Sequence, residues 1–277
     1  MKKCLSIALL ALAFSAPIFC GTSKIKSSSA KTVNSQSSVS AGKTKKSQAD
    51  TKQNASKTKS GTASSKSKGK SLAPLDTARN VDYMSDFEKD VIFEMNKARA
   101  DPKQFADLYL VPRLERFDGK LYIEKRTDSG NSQGRMILTR EGAAAVKECI
   151  EFMYKQTPRS PLKPSKGLTK TAKEHAESQV LTYETCHTRA DGTSPFENMR
   201  KYGSFMAAGE NIAYGISSAR GTVIQLLIDD GVSSRGHRTN IMDKNFNYAG
   251  AGFAESKETK RTECVIDYAQ NYEEKSQ

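Results

Sequence analysis

The segment that most constrains the fold is residues 21–75, which consist largely of Ser, Lys, Thr, Ala and Gly and contain almost no large apolar side chains. Such a segment cannot bury enough apolar surface to offset the conformational entropy lost on ordering. We therefore predict a disordered tether over residues 21–75. Any hydrophobic core has to come from residues 76–277, which are long enough for one large domain or two small ones.

The charge is confined to the same segment. Of the net charge of +13, Lys2 and Lys3 contribute +2, and residues 21–75 contribute +11 through twelve lysines and one acid, Asp50. Residues 76–277 are therefore neutral overall. The tether could contact anionic polymers or lipid headgroups, or it could be a solvated spacer. Nucleic acid is the disfavoured partner, because no aromatic residues for base stacking lie between the lysines.

Residues 1–20 have the pattern of an export signal. Lys2 and Lys3 precede an apolar run that ends at Phe19 and is short for a bilayer span. Cys20 is a candidate for lipid attachment, but bulky Phe19 stands where a small residue is usual. Release without a lipid is the favoured outcome over lipid anchoring or an uncleaved anchor. We expect an exported protein that is periplasmic, on the cell surface or secreted.

Three cysteines follow the predicted signal, at Cys149, Cys186 and Cys264. Export permits disulfides, and three cysteines allow at most one bridge within the chain plus one free thiol. Which two would join is left open. The neighbouring Cys186 and His187 suggest a Cys–His nucleophile, but adjacent residues rarely face each other, so a buried or bridged cysteine is the favoured interpretation.

The rest of the chain alternates helical and strand patterns. Ser85 and Glu88 form a capping box before apolar residues at helical spacing, and "TSPFENMRKYG" combines a capping residue, an early proline and a terminating glycine. The patterns predict helices over about 86–100, 102–109, 140–154 and 166–183 and a further helix within "TSPFENMRKYG". They also predict a hairpin or a long excursion over 115–138, and strands in "YAGAGFAES" and "TECVIDYAQNY". Helices at the front and strands at the back indicate an α+β layered domain.

The chain has only three histidines, and two of them flank one glutamate. "CHTRADGTSPFENM" supplies His187, "GENIAYG" supplies Glu210, and "SSRGHRTNIMD" supplies His237. "GAGF" and "DYAQNY" follow in order. His175, on the predicted helix over 166–183, is interpreted as a histidine at the edge of the core.

This ordered set resembles the bacterial branch of the CAP superfamily, also called SCP-like or PR-1-like domains, over about Ser85 to Tyr272. The resemblance implies a three-layer α-β-α sandwich with a central, mainly antiparallel sheet and a large cleft. It also implies that two histidines and two acids line the cleft. Carried over to this sequence, three of the four are His187, Glu210 and His237.

The fourth cleft residue is expected on the helix that precedes His237, where Asp229 and Asp230 are adjacent. Val223, Leu226 and Leu227 form an apolar stripe that Asp230 continues at i+7, whereas Asp229 turns away from it. The spacing therefore favours Asp230 as the cleft acid. The alternative is that Asp230 only accepts hydrogen bonds from the following turn.

Three further residues are assigned to the cleft. Tyr268 and Gln270 alternate on a strand and so share a face that could brace the cleft. Asn211 is a candidate ligand-binding residue, although it could instead satisfy backbone groups of the loops.

Two imidazoles can bind a divalent ion such as Zn²⁺, with a carboxylate as third ligand and water in an open position. His187 and His237, with Glu210, are thus a candidate site for Zn²⁺ or Mg²⁺. The alternative is a metal-free cleft in which the histidines hydrogen-bond to Glu210 and Asp230.

Three functions remain open. The first is a binding module for an apolar or envelope-derived ligand or a protein partner. The second is a hydrolase with Glu210 as general base; no G-x-S-x-G or H-E-x-x-H motif supports a familiar class, although Ser233 and Ser234 lie just before His237. The third, an anion-binding surface protein, depends on the lysine-rich tether alone.

Overall fold

In the computed structural model, residues 73–125, 135–182, 185–215 and 218–276 are described. The predicted signal, residues 1–20, lies outside them, as does the predicted tether up to residue 72. No helix within these ranges is both long enough and apolar enough to span a bilayer.

The helices follow the local signals closely. They are α1 (Asp86–Ala100), α2 (Pro102–Phe105), α3 (Ala143–Lys155), α4 (Lys166–Thr182), α5 (Pro195–Tyr202), α6 (Ala219–Ile228) and α7 (Gly236–Met242). A π-helical turn, Ala106–Leu110, and a 3-10 helix, Val111–Arg116, continue from α2. The predicted capping box of Ser85 with Glu88 is present, and the capping residue of α5 is Ser194, which forms a second capping box with Glu197.

The strands form one main sheet and two small ones. They are β1 (Phe117–Asp118), β2 (Leu121–Glu124), β3 (Arg135–Leu138), β4 (Lys163–Pro164), β5 (Gly203–Ser204), β6 (Ala208–Tyr214), β7 (Tyr248–Glu255), β8 (Thr262–Ala269) and β9 (Glu273–Glu274). The main sheet has the order β4-β7-β8-β6, antiparallel except for the short β4–β7 pair. The hairpin predicted over 115–138 is the sheet β1-β2-β3.

Helices cover both faces of the main sheet, which confirms the predicted α-β-α layers. On one face, α1, α3, α6 and α7 build the large core with one set of sheet residues. On the other face, α4 packs through Ala172, Ala176 and Val180 on Ile212 and Val265.

A buried arginine links the end of α1 to the end of α7 and the segment that follows it. The guanidinium of Arg99 is 1% exposed and donates to the carbonyl oxygens of Ser160, Ile241, Asp243 and Phe246 at 2.7–3.0 Å. Burial lowers the pKa of Arg99 to about 10. Four carbonyl dipoles, rather than a carboxylate, satisfy this side chain.

Cys149 in α3 and Cys264 in β8 are buried free thiols. The one disulfide bond that three cysteines allow is therefore not formed, because each possible pair with Cys186 or between the other two includes Cys149 or Cys264. Burial raises the pKa of Cys149 to about 12, so this thiol is inert rather than reactive.

Two glycines let α4 lie directly on β7. A Cβ atom added at Gly250 would be 2.1 Å from the Thr169 nitrogen, and one at Gly252 would be 2.3 Å from the Ala172 carbonyl carbon. Both contacts are with helix backbone, which cannot rotate away as a side chain would. The spacing between this helix and the sheet therefore requires glycine at both positions.

Polar groups are enclosed beneath α4 as a result. Thr171, His175 and Gln179 on the helix and Glu210 and Asp267 on the sheet are all buried, and Thr171 is hydrogen-bonded to Asp267. Glu263, further along β8, is also fully buried. Neither of its carboxyl oxygens has a hydrogen-bond partner among the described residues, and the Arg261 guanidinium lies 3.7 Å away.

Gly250→Ala should destabilise the domain, because the added methyl group forces α4 away from β7. We expect a loss of about 3 kcal/mol in the free energy of unfolding, measured by urea denaturation. Gly236→Ala is the matched control: its Cβ would meet only the Ser234 hydroxyl, at 3.5 Å. Equal stability of the Gly250 variant and wild type would contradict the assigned contact.

Glu263→Gln should flatten the dependence of stability on pH. Burial raises the pKa of Glu263 to about 8, from an ordinary value of 4.5. Between these values the folded state holds a proton that the unfolded state has released. Its stabilising effect is complete below pH 4.5 and is lost as the pH rises to about 8, at up to about 1.4 kcal/mol per pH unit.

The measurement is urea unfolding of wild type and variant from about pH 5 to about pH 8. Glu258→Gln, at an exposed position, is the control and should leave the wild-type slope unchanged. A slope that Glu263→Gln leaves unchanged would mean that Glu263 does not take up this proton.

Candidate functional site

Two histidine–carboxylate pairs form the candidate site. His187 Nδ1 lies 2.8 Å from Glu210 Oε1, and His237 Nδ1 lies 2.7 Å from Asp229 Oδ1. Both carboxylates have side chains only 1% exposed, whereas the rings of His187 and His237 are 53% and 23% exposed. Each ring is therefore partly exposed to solvent, while its Nδ1 is held by a buried carboxylate.

Glu210 is held by a cation as well as by the histidine. Arg189 Nη1 donates to Glu210 Oε2 at 2.7 Å and to the His187 carbonyl oxygen at 3.0 Å. Burial acts to raise the pKa of Glu210, but the hydrogen bond from His187 and the charge of Arg189 outweigh it, so the pKa lies below its usual value. Glu210 is an anion whose two oxygens are both occupied.

The second acid is Asp229, and the prediction of Asp230 is wrong. Helix α6 ends at Ile228, and Asp229 is its C-cap in the left-handed conformation, with φ 57° and ψ 41°. The regular helix therefore ends before Asp230, so the 3.6-residue period does not predict the direction of the Asp230 side chain. The reversed backbone turns the Asp229 side chain back to His237, where Oδ2 also accepts from the His237 backbone N–H at 3.0 Å.

Asp230 instead fixes the segment before α3. Its oxygens accept from the backbone N–H groups of Arg140 and Glu141 at 2.7 and 2.8 Å. The alternative interpretation, an acceptor for the turn that follows it, is not the observed role either. Asp230 therefore anchors a neighbouring loop and does not reach His237.

Two asparagines join the halves of the site. Asn211 Nδ2 donates to the His237 carbonyl oxygen and to the Tyr268 hydroxyl, and Asn240 Nδ2 donates to Asn211 Oδ1. Tyr268 is fully buried on the α1 side of the sheet. These residues support the first turn of α7, which carries His237. Gln270 lies just beyond β8, where its backbone N–H donates to the Ala207 carbonyl oxygen.

The two histidines line one small cavity of about 150 Å³. Its other lining residues are Thr185, Cys186, Ile212 and Tyr214. A carboxylate can only accept, so each neutral ring carries its proton on Nδ1 and presents Nε2 as an acceptor. We call this cavity the histidine groove; it combines two acceptor nitrogens with an apolar wall.

The donors do not fit a resident Zn²⁺ or Mg²⁺ ion with Glu210 as a ligand. Both Glu210 oxygens are engaged, and an arginine lies beside them. Over the described ranges, no group of three His, Cys, Asp or Glu side chains is arranged to hold a metal ion. Two imidazoles fall short of the three protein ligands typical of catalytic zinc, and Mg²⁺ prefers oxygen.

The candidate nucleophiles lie elsewhere or are engaged. Ser233 lines a separate, larger hollow of about 380 Å³, in which Arg235 forms ion pairs with Glu141 and Glu148. Cys186 lines the histidine groove, and its Sγ lies 3.1 Å from the Thr188 carbonyl oxygen.

Sequence reasoning assigned neither Arg189 nor Asp267 to the site. Arg189 lies two positions after His187, and its side chain is 9% exposed. Asp267 is fully buried opposite Glu210 on β8. The available signal for Asp267 was its place in "ECVIDYA", where two acids interrupt a strand that is otherwise apolar.

Comparison with known proteins identifies the family. The model of the family described as "CAP: Cysteine-rich secretory protein family" matches residues 94–268. The uncharacterized protein YkwD of Bacillus subtilis is 30% identical over 118 residues, which are 41% of this chain and 44% of that protein. The chain thus matches less than half the length of this relative.

Three solved structures are similar to parts of this chain. An outer surface protein of Borrelia burgdorferi is 23% identical, over 44% of this chain and 86% of that one, with a TM-score of 0.35. An extracellular protein containing a SCP domain from Bacillus anthracis is 18% identical, over 46% and 38%, with a TM-score of 0.34. Venom allergen-like protein 4 of Schistosoma mansoni is 15% identical, over 70% and 92%, with a TM-score of 0.36.

The family model covers more than half of the chain, and its range includes both histidine–carboxylate pairs, strands β4, β6 and β7, and all but the last residue of β8. The α-β-α layers agree with the architecture expected from the sequence motifs. This chain belongs to the CAP family of cysteine-rich secretory protein domains.

Proposed function

We propose that this chain is an exported binding module whose histidine groove receives an envelope-derived ligand. The observation that carries the proposal is the pairing of each groove histidine with a buried carboxylate through Nδ1. This fixes two Nε2 acceptors at one small cavity. A ligand that presents hydroxyl or amide donors to the rings and an apolar part to Ile212 and Tyr214 would suit it.

Export is supported by the pattern of residues 1–20 and by membership of a family described as secretory. The lysine-rich segment 21–75 would hold the domain near an anionic surface. The neutral domain would then recognise its ligand through the groove rather than through charge.

The test measures binding of the full chain to two probes, purified cell-wall glycan and vesicles of anionic phospholipid. His187→Ala combined with His237→Ala should reduce the affinity at least about tenfold for the probe that binds the groove, because both acceptors are lost. Tether contacts alone would instead weaken steeply with salt and resist the double substitution.

Two matched variants distinguish the roles of the neighbouring acids Asp229 and Asp230. Asp229→Asn keeps the left-handed conformation but removes the charge behind His237, and should weaken binding about tenfold. Asp230→Asn changes only the anchor of a neighbouring loop and should alter the affinity less than about twofold. Binding that is unchanged in the double histidine variant, or absent for both probes, would overturn the proposal.

A hydrolase is the second candidate, and one observation favours it. A histidine whose Nδ1 is held by a buried carboxylate is oriented for Nε2 to accept a proton from water. In that case His187, and not Glu210, would be the general base, because both Glu210 oxygens are engaged.

This candidate predicts that turnover of chromogenic esters or glycosides depends on the groove. The double histidine variant should lose at least about 100-fold in kcat, the usual contribution of a general base. Turnover that persists in this variant would eliminate the mechanism. Loss in the variant while it still binds the probes would separate catalysis from binding.

A further inference from the structure

Asp267 and Glu210 are opposed across two strands of the main sheet. They are directly paired in the antiparallel register of β6 and β8, so their side chains leave the same face next to each other. Both lie beneath α4, Asp267 with no exposed surface and Glu210 with a side chain 1% exposed. Two buried carboxylates in contact cannot both be ionised without a large cost.

The hydrogen bonds around Asp267 leave one oxygen without a donor. Thr171 Oγ1 is hydrogen-bonded to Asp267 Oδ2 and also lies 3.0 Å from the Leu168 carbonyl oxygen. Asp267 Oδ1 has no hydrogen-bond partner among the described residues, and Glu210 is its direct neighbour in the register of β6 and β8. A proton on Asp267 would let this carboxyl group donate a hydrogen bond to Glu210.

The groups packed around Asp267 supply little compensating charge. On α4, Thr171 is neutral, and burial lowers the pKa of His175 to about 4, so that its ring is neutral at about pH 7. Arg189 directs its charge-assisted hydrogen bond to Glu210. Strand β7 contributes Gly250 opposite Asp267, which has no side chain.

We infer that Asp267 is a neutral carboxylic acid that donates its proton in a hydrogen bond to Glu210, and that it thereby acts as a positioning residue for His187. The chain of contacts runs from Thr171 through Asp267 and Glu210 to His187 at the groove. Burial and the charge of Glu210 both raise the pKa of Asp267 far above its usual value, which agrees with this assignment.

The consequence concerns the charge behind the groove. With Asp267 neutral, one anion, Glu210, faces one cation, Arg189, and no second negative charge lies behind His187 to favour its protonation. An ionised Asp267 would add a second negative charge behind Glu210 and would favour the protonated imidazolium. The inference concerns the proton alone and stands whether or not the groove binds the ligand proposed above.

The first experiment is an NMR titration of the full chain, which has only three histidines to resolve. The signals are assigned with His187→Gln and His237→Gln. Asp267→Asn replaces a neutral donor by another of the same shape, so the titration midpoint of His187 should move by less than about 0.3 pH unit. Removing an ionised carboxylate instead would lower this midpoint by about one unit or more, and that result would overturn the inference.

Glu263→Gln is the matched control. Glu263 is a buried acid on the same face of β8 but, unlike Asp267, it is not hydrogen-bonded to Thr171. Both variants are checked for the wild-type fold by amide spectra. The Asp267→Asn variant should retain groove binding of any probe that wild type binds, whereas Asp267→Ala, which cannot donate to Glu210, should weaken it and broaden the His187 signals.

A second measurement needs no variant and covers the case in which Asp267→Asn does not fold. Wild-type chain with isotopically labelled aspartate carboxyl carbons should show a protonated carboxylic acid band in the infrared spectrum at about pH 7. The label excludes Glu263, which is a glutamate. Absence of any protonated aspartate at neutral pH would overturn the inference, and a band that is lost in Asp267→Asn would assign it.

Discussion

The close approach of α4 to β7 is the constraint on which the rest of the structure depends. Gly250 and Gly252 admit helix backbone where a Cβ atom would collide with it. The approach excludes water from the layer between helix and sheet, so Thr171, His175 and Asp267 interact in a medium of low polarity. If β7 carried side chains at these positions, the helix would lie further from the sheet and water would reach the buried acids. Their pKa values would then return to the usual range.

The groove is built from two units that are made in different ways. His187 belongs to a loop whose position is set by electrostatics, with Glu210 placed between a histidine, an arginine and a second acid. His237 belongs to a helix terminus whose position is set by backbone geometry, since Asp229 receives both the ring and the backbone N–H of the same residue. Asn211 is the link, because it lies beside Glu210 on β6 and donates to the His237 carbonyl oxygen.

Local signals predicted most of the fold, and family motifs named three of the four residues of the two histidine–carboxylate pairs. The caps of α1 and α5 depend on neighbouring residues alone, so the sequence was sufficient to predict them. Asp229 could not, because a left-handed residue at the end of α6 is decided by its hydrogen bonds to the next helix. Strand β6 went unassigned because it is buried on both faces and does not alternate, and Asp267 becomes meaningful only once the register with β6 is known.

The arginine that ties the domain together also sets the order in which the chain can mature. Arg99 leaves the ribosome 142 to 147 residues before the carbonyl groups of Ile241, Asp243 and Phe246 that receive its guanidinium. Without these carbonyl groups, the Arg99 side chain of α1 would be buried away from water with most of its hydrogen-bond donors unsatisfied. The native packing of α1 around Arg99 therefore requires α7 and the turn after it, which supply three of its four acceptors.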